Sequence, residues 1–215
     1  MPRKLKIDFV SDISCPWCII GLRGLEEALH RARDVVHADI RFHPFELNPS
    51  MPREGQNIVE HMAQKYGLTA KQAAANRIMI RERAAELGFD MNGSPESRIY
   101  NTFDAHRLLH WAELQGKQAA LKEALFTAYF NDQRDPSDHG VLADIAASIG
   151  LDRSEAKTIL SSDRFASDVR AAEQLWLERG VHAVPAIVID GEYEITGGQP
   201  PELFEKALRR IAAKV

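Results

Sequence analysis

Residues 5–11, Leu5-Lys6-Ile7-Asp8-Phe9-Val10-Ser11, alternate as a strand does, and Leu22, Leu25, Ala28 and Leu29 then recur at helical spacing. Between them stands Cys15-Pro16-Trp17-Cys18, which holds both cysteines of the 215-residue chain. A second strand is expected over 39–45, DIRFHPF, with Pro44 near its end, where a missing N–H does least harm to a ladder. Strand, helix, strand in this order predicts a βαβ unit with its two strands parallel. The cysteine pair therefore sits where a strand hands over to a helix N-terminus.

From about 57 to 179 the pattern changes to Ala-rich, helix-periodic segments: NIVEHMAQKYG, TAKQAAANRIMIRERAAELG, SRIYNTFDAHRLLHWAELQG, KQAALKEALFTAYFNDQ, DHGVLADIAASIG and RSEAKTILSSDRFASDVRAAEQLWLERG. Most end in Gly, the expected helix stop. Strand signals return at Ala186-Ile187-Val188-Ile189, and Asp190-Gly191 reads as a hairpin turn before EYEIT. A last helix, PPELFEKALRRIAAKV, opens with prolines in its first turn. The expected fold class is α/β: a βαβ unit plus a β-hairpin and a C-terminal helix, with a large all-helical insertion. Residues 1–56 and 180–215 would form one domain and 57–179 the inserted one.

A net charge of −4 with no long run of either sign points away from nucleic acid and from anionic membranes. No segment approaches the ~18–20 apolar residues of a membrane span, and the basic start lacks an apolar stretch long enough for a signal peptide. The cytoplasm is the expected location. A chain of this length buries a core without a covalent staple, so two cysteines in a reducing compartment point to catalysis or metal binding.

Three readings of the C-x-x-C pair stand side by side: a dithiol/disulfide couple, half of a zinc site, or two small apolar side chains. In the redox reading Pro16 opens the helix and Cys15 is its N-cap, facing the free N–H groups of Trp17 and Cys18. Those donors and the helix dipole favour a thiolate there. Cys15 would attack a disulfide, and Cys18, one turn in, would resolve the mixed disulfide. Zinc needs two more ligands; His106 and His110 in HRLLH are candidates, although they are far from the cysteines and lack finger spacing. Their structural alternative is one imidazole packed inward and hydrogen-bonded. Pro185 precedes the strand AIVI; with a cis bond, Val184 would offer its backbone to an extended substrate beside Cys15, whereas a trans proline would simply end the loop.

Taken together, SDISCPWCIIGLRGLEEAL, the helical interior with NTFDAHRLLHWA and ALFTAYF, and GVHAVPAIVIDGEYEITGGQPPELFEKAL resemble the DsbA-like thioredoxin family. The similarity is greatest to its cytoplasmic FrnE-type dithiol-disulfide isomerases and oxidoreductases, and it spans nearly the whole chain. The resemblance implies a thioredoxin fold with a helical insertion, Cys15 as nucleophile, Cys18 as resolving thiol and Pro185 as the cis-proline facing them. It also places NTFDAHRLLH over the groove. The expected substrate contacts are then Trp17, Val184, His182, His106 and Asn101, with no metal and no bound cofactor.

Two positions depart from the pattern. Where thioredoxin-like relatives carry a buried carboxylate, six residues before the nucleophile, this chain has Phe9, leaving Asp8 with a one-residue shift, or water, to take the proton of Cys18; Asp12 is closer, and the two also read as a solvated strand residue and a loop residue. Where periplasmic DsbA has His between its cysteines, this chain has Trp17, which predicts a couple between ~ −120 and ~ −270 mV. His182 would add positive charge near Cys15 unless it is merely solvent-exposed. The 2-hydroxychromene-2-carboxylate isomerases and kappa-class glutathione transferases share parts of AHRL and LF.AYF but typically have Ser where Cys15 stands. A glutathione-dependent isomerase or transferase is therefore the second expectation, and a non-catalytic polypeptide-binding module the third. The first remains a thiol-disulfide oxidoreductase or isomerase acting on disulfide-containing proteins or small thiols, with glutathione or thioredoxin as electron donor; the oligomeric state stays open.

Overall fold

A computed structural model describes residues 2–214. Strand β1 (Arg3–Ser11), helix α1 (Pro16–Arg31) and strand β2 (Val36–Pro44) form the expected βαβ unit, with β1 and β2 parallel from Arg3↔Val36 to Ser11↔Pro44. Strands β5 (Ala186–Ile189) and β6 (Tyr193–Thr196) complete a sheet of order β2-β1-β5-β6, both new pairings antiparallel. Asp190 and Gly191 turn the hairpin with φ of 52° and 72°, the left-handed pair that a two-residue loop requires. Residues from the two ends of the chain thus meet at the β1–β5 pairing.

Alternation along β1 fixes what lies on each face. Leu5, Ile7 and Phe9 enter a core with α1 and with Phe204, Leu208 and Ile211 of α9 (Pro201–Ala212). Val10 faces the other way, against Trp176, Val181 and Ala186. Trp176 belongs to α8 (Ala166–Glu178), so this helix covers the second face of the sheet. Cys15 and Cys18 belong to the first core.

The central segment holds α2 (Ile58–Tyr66), α3 (Ala70–Glu86), α4 (Phe103–Leu114), α5 (Gln118–Phe126), α6 (His139–Ser148) and α7 (Arg153–Leu160). Helices α4 to α7 share their own core around Leu108, Leu121, Leu125, Leu142 and Ile159, into which the cysteine loop inserts Ile13. No helix among the described residues is long and apolar enough to cross a membrane.

Three local readings are corrected. Arg98–Ile99 form a short strand, β4, antiparallel to β3 (Gln56–Asn57), and α4 begins only at Phe103. The Arg98 guanidinium holds Glu54 O and Gly55 O, and the Asn101 side chain accepts from Phe103 N at 2.9 Å, so these residues bond outside a helix. The run 153–180 is two helices, because buried Arg107 binds the carbonyl groups of Ile159, Ser162 and Arg164 and holds the break open. Finally, α5 passes into a π-helical turn at Thr127–Asn131, which redirects Tyr129 and Phe130.

Candidate active site

The chain leaves β1 through a turn in which Cys15 N donates to Asp12 O at 3.4 Å, and Cys15 becomes the N-cap of α1 with φ −89° and ψ 113°. Pro16 takes the first helical turn, where no N–H is needed. Both cysteines are free thiols; Cys15 is 4% exposed and Cys18 fully buried, so an incoming group meets Cys15 first. Opposite, Val184–Pro185 is cis, and Cys15 Sγ lies 3.6 Å from Val184 O, within hydrogen-bonding range for sulfur. The approach depends on a small residue in α1: a Cβ on Gly21 would stand 3.0 Å from Pro185 Cγ. Gly198 does the same for Trp17, since a Cβ there would meet the indole at 3.1 Å.

Behind the cysteines lies a buried polar layer. Asp12 accepts from Leu47 N at 2.7 Å, Ser14 Oγ at 3.1 Å and Ser14 N at 3.3 Å. Burial alone would raise its pKa, but His106 and the Leu47 N–H more than offset this and hold the carboxyl below its ordinary value. His106 Nε2 stands 3.6 Å from Asp12 Oδ1, beyond hydrogen-bond length. The Cys18 thiol is pushed well up, first by burial and then by the neighbouring Cys15 sulfur, against the pull of Lys122. Lys122 of α5 is itself fully buried, and its Nζ stands 5.0 and 6.0 Å from the ring centres of Phe126 and Phe42.

The expected contacts divide. Val184 and Pro185 stand against Cys15 and α1, and half-buried Trp17 packs on the same core. His106 is only 2% exposed and lies behind the cysteine loop, not over a groove, because α4 packs that face inward. His110 is half-buried with its ring 5.1 Å from Phe165. Asn101 spends its amide on Glu46 Oε1 and Pro49 O, and its carbonyl on Phe103 N. His182 is exposed. Asp8 pairs with His43 at 2.7 Å, on the sheet face away from Cys18. Among the described residues no cluster of three or more His, Cys, Asp or Glu side chains could hold a metal ion.

Sequence reading missed Lys122, which KEALF presents as a surface lysine. Its signal was position: Leu121, Lys122, Leu125 and Phe126 share one helical stripe, so the lysine is carried inside with its neighbours. Also unforeseen is an apolar cleft of about 150 Å³ that begins at Ser14 and Pro16 and is walled by Met62, Ile80, Met91 and Phe130.

The fold that carries these residues is matched by comparison with known proteins. The model of the DSBA-like thioredoxin domain matches residues 6–209. The protein YwbO of Bacillus subtilis is 28% identical over 203 residues, 94% of each chain. The crystal structure of a probable DsbA oxidoreductase from Streptomyces coelicolor superposes with a TM-score of 0.92 at 32% identity, covering 98% of this chain and 91% of that one. The cytosolic disulfide reductase DsbM of Pseudomonas aeruginosa, also solved with GSH, shares the fold at 18% identity, with a TM-score of 0.65 over 96% of this chain and 98% of its own. By its matched length and its thioredoxin-like architecture, the chain belongs to the DSBA-like thioredoxin domain family.

Proposed function

We propose that this protein is a thiol-disulfide oxidoreductase or isomerase of the FrnE type that reduces or reshuffles disulfides through Cys15 and Cys18. The observation that carries the reading is the N-capping Cys15, still reachable from solvent, 3.6 Å from the Val184 carbonyl. A sulfur at a helix N-terminus is favoured as thiolate by the dipole; Cys18 N is spent on Cys15 O at 3.0 Å and the sulfur makes no cap bond, so the dipole is the support here. The Cys15 thiolate attacks a substrate disulfide, an extended substrate pairs with the Val184 backbone, and Cys18 closes the intramolecular disulfide. Trp17 and the apolar cleft receive the flanking apolar groups, with the helical insertion supplying the far wall.

In this reading no metal or bound cofactor takes part. Electrons come from glutathione or a thioredoxin system in the cytoplasm, a setting supported by the likeness to DsbM, a cytosolic reductase solved with GSH. Substrates are disulfide-containing proteins or small disulfides. With reduced glutathione in excess, the protein is expected to turn over a disulfide-bonded polypeptide such as insulin catalytically, followed by the coupled consumption of glutathione. A rate no greater than that of glutathione alone would rule the reading out.

A further inference from the structure

The resolving step needs a base, because burial, first, and the neighbouring Cys15 sulfur push the Cys18 thiol well above its ordinary value. The carboxylates nearby do not suit the task. Asp8 lies across the sheet, bonded to His43. Asp12 has both oxygens engaged and is held below its ordinary value, which makes it a weak proton acceptor.

Lys122 remains. It is fully buried, its Nζ has no hydrogen-bond partner among the described residues, and the anionic groups acting on it are Cys18, Asp12 and Cys15. A buried amine without a partner is costly as a cation and stable as a base. Lys122 also lines a cavity of mixed polarity and about 90 Å³, as does His106, whose Nε2 is likewise unpartnered. That volume holds several waters. His43, Glu113 and Gln118 also line it, as do exposed Arg41 and Asp168.

Resting on the thiol-disulfide reading above, we propose that Lys122 takes the proton of Cys18 during resolution and that this cavity conducts it to solvent. Cys18 Sγ–H gives its proton to the neutral Lys122 amine as Cys18 Sγ attacks Cys15 Sγ. The Cys15–Cys18 bond forms, the Cys15–substrate bond breaks, and the substrate sulfur leaves with the electron pair and is protonated by solvent. The enzyme pair is oxidised and the substrate sulfur reduced. Burial draws Lys122 down to about 8, and of the anionic groups that oppose burial, the Cys15 thiolate is lost in the mixed disulfide. The amine is therefore most available at the step that uses it.

The test is stopped-flow kinetics of the full chain with a chromogenic mixed disulfide, separating attack by Cys15 from release by Cys18 across pH 6–10. Lys122→Met replaces a buried cation with an apolar chain of similar length, a change that folds tolerate. Expected is an unchanged attack step and a resolution step slowed roughly 100-fold or more at pH 7. In the variant that rate should rise with pH as Cys18 ionises unaided. Resolution at the wild-type rate and pH profile, or equal slowing of both steps, overturns the inference while leaving the redox function intact. Absence of any mixed disulfide on Cys15 in the wild type overturns both. As a second readout on unmodified sequence, the side-chain NMR titration of Lys122 in the wild type should move to lower pH when Cys15 is alkylated, a block that Cys18 cannot displace; an unmoved titration speaks against the coupling.

Discussion

Cys15→Ser is expected to abolish disulfide turnover, with a loss on the order of 10³-fold or more, the scale seen when an enzyme loses its nucleophile. The physical reason is the sulfur itself: a serine hydroxyl at the same N-cap neither ionises near neutral pH nor forms the mixed disulfide that starts exchange. Structural cost should be small, because serine is among the best N-cap residues and Cys15 makes no side-chain cap bond that would be lost. Activity and folding therefore separate in this variant, with the thermal midpoint near wild type and turnover gone. Retained function in Cys15→Ser would favour a polypeptide-binding module, and gain of glutathione-dependent isomerisation would favour the second expectation.

Cys18→Ser is expected to do the opposite to the intermediate. Attack by Cys15 continues, but nothing closes the ring, so mixed disulfides between Cys15 and substrate accumulate to near stoichiometry and survive on non-reducing gels. Escape then depends on an external thiol, and turnover with glutathione should fall while becoming proportional to its concentration. Because Cys18 is fully buried, the serine hydroxyl must find a partner there and a modest loss of stability is expected, about 1–3 kcal/mol. A Cys18→Ser protein with full reductase activity and no trapped species would contradict the assigned order of the two thiols.

Much of this arrangement is written in local patterns. The alternation of Leu5, Ile7 and Phe9 predicts which face of β1 is buried, and Pro16 predicts where α1 begins. Asp190-Gly191 predicts the hairpin because few other dipeptides supply two left-handed residues. What local pattern does not reveal are the contacts made across long separations. His106 reads as a groove residue until α4 is seen packed inward, and Asn101 reads as a substrate contact until Glu46 and Pro49 claim its amide. Lys122 is the clearest case, since its environment is assembled from the loop after β1, β2, α1 and α5 together. The break after α7 is similar: it depends on Arg107, 52 residues away from Ile159 in sequence.

The central claim is that Cys15 and Cys18 exchange electrons as a pair, and the direct measurement is their redox equilibrium in glutathione buffers, followed by Trp17 fluorescence and checked by thiol alkylation. The account predicts one reversible two-electron transition between ~ −120 and ~ −270 mV that vanishes in either cysteine variant. A protein whose two thiols remain free in fully oxidising buffer, or oxidise independently of each other, would contradict it.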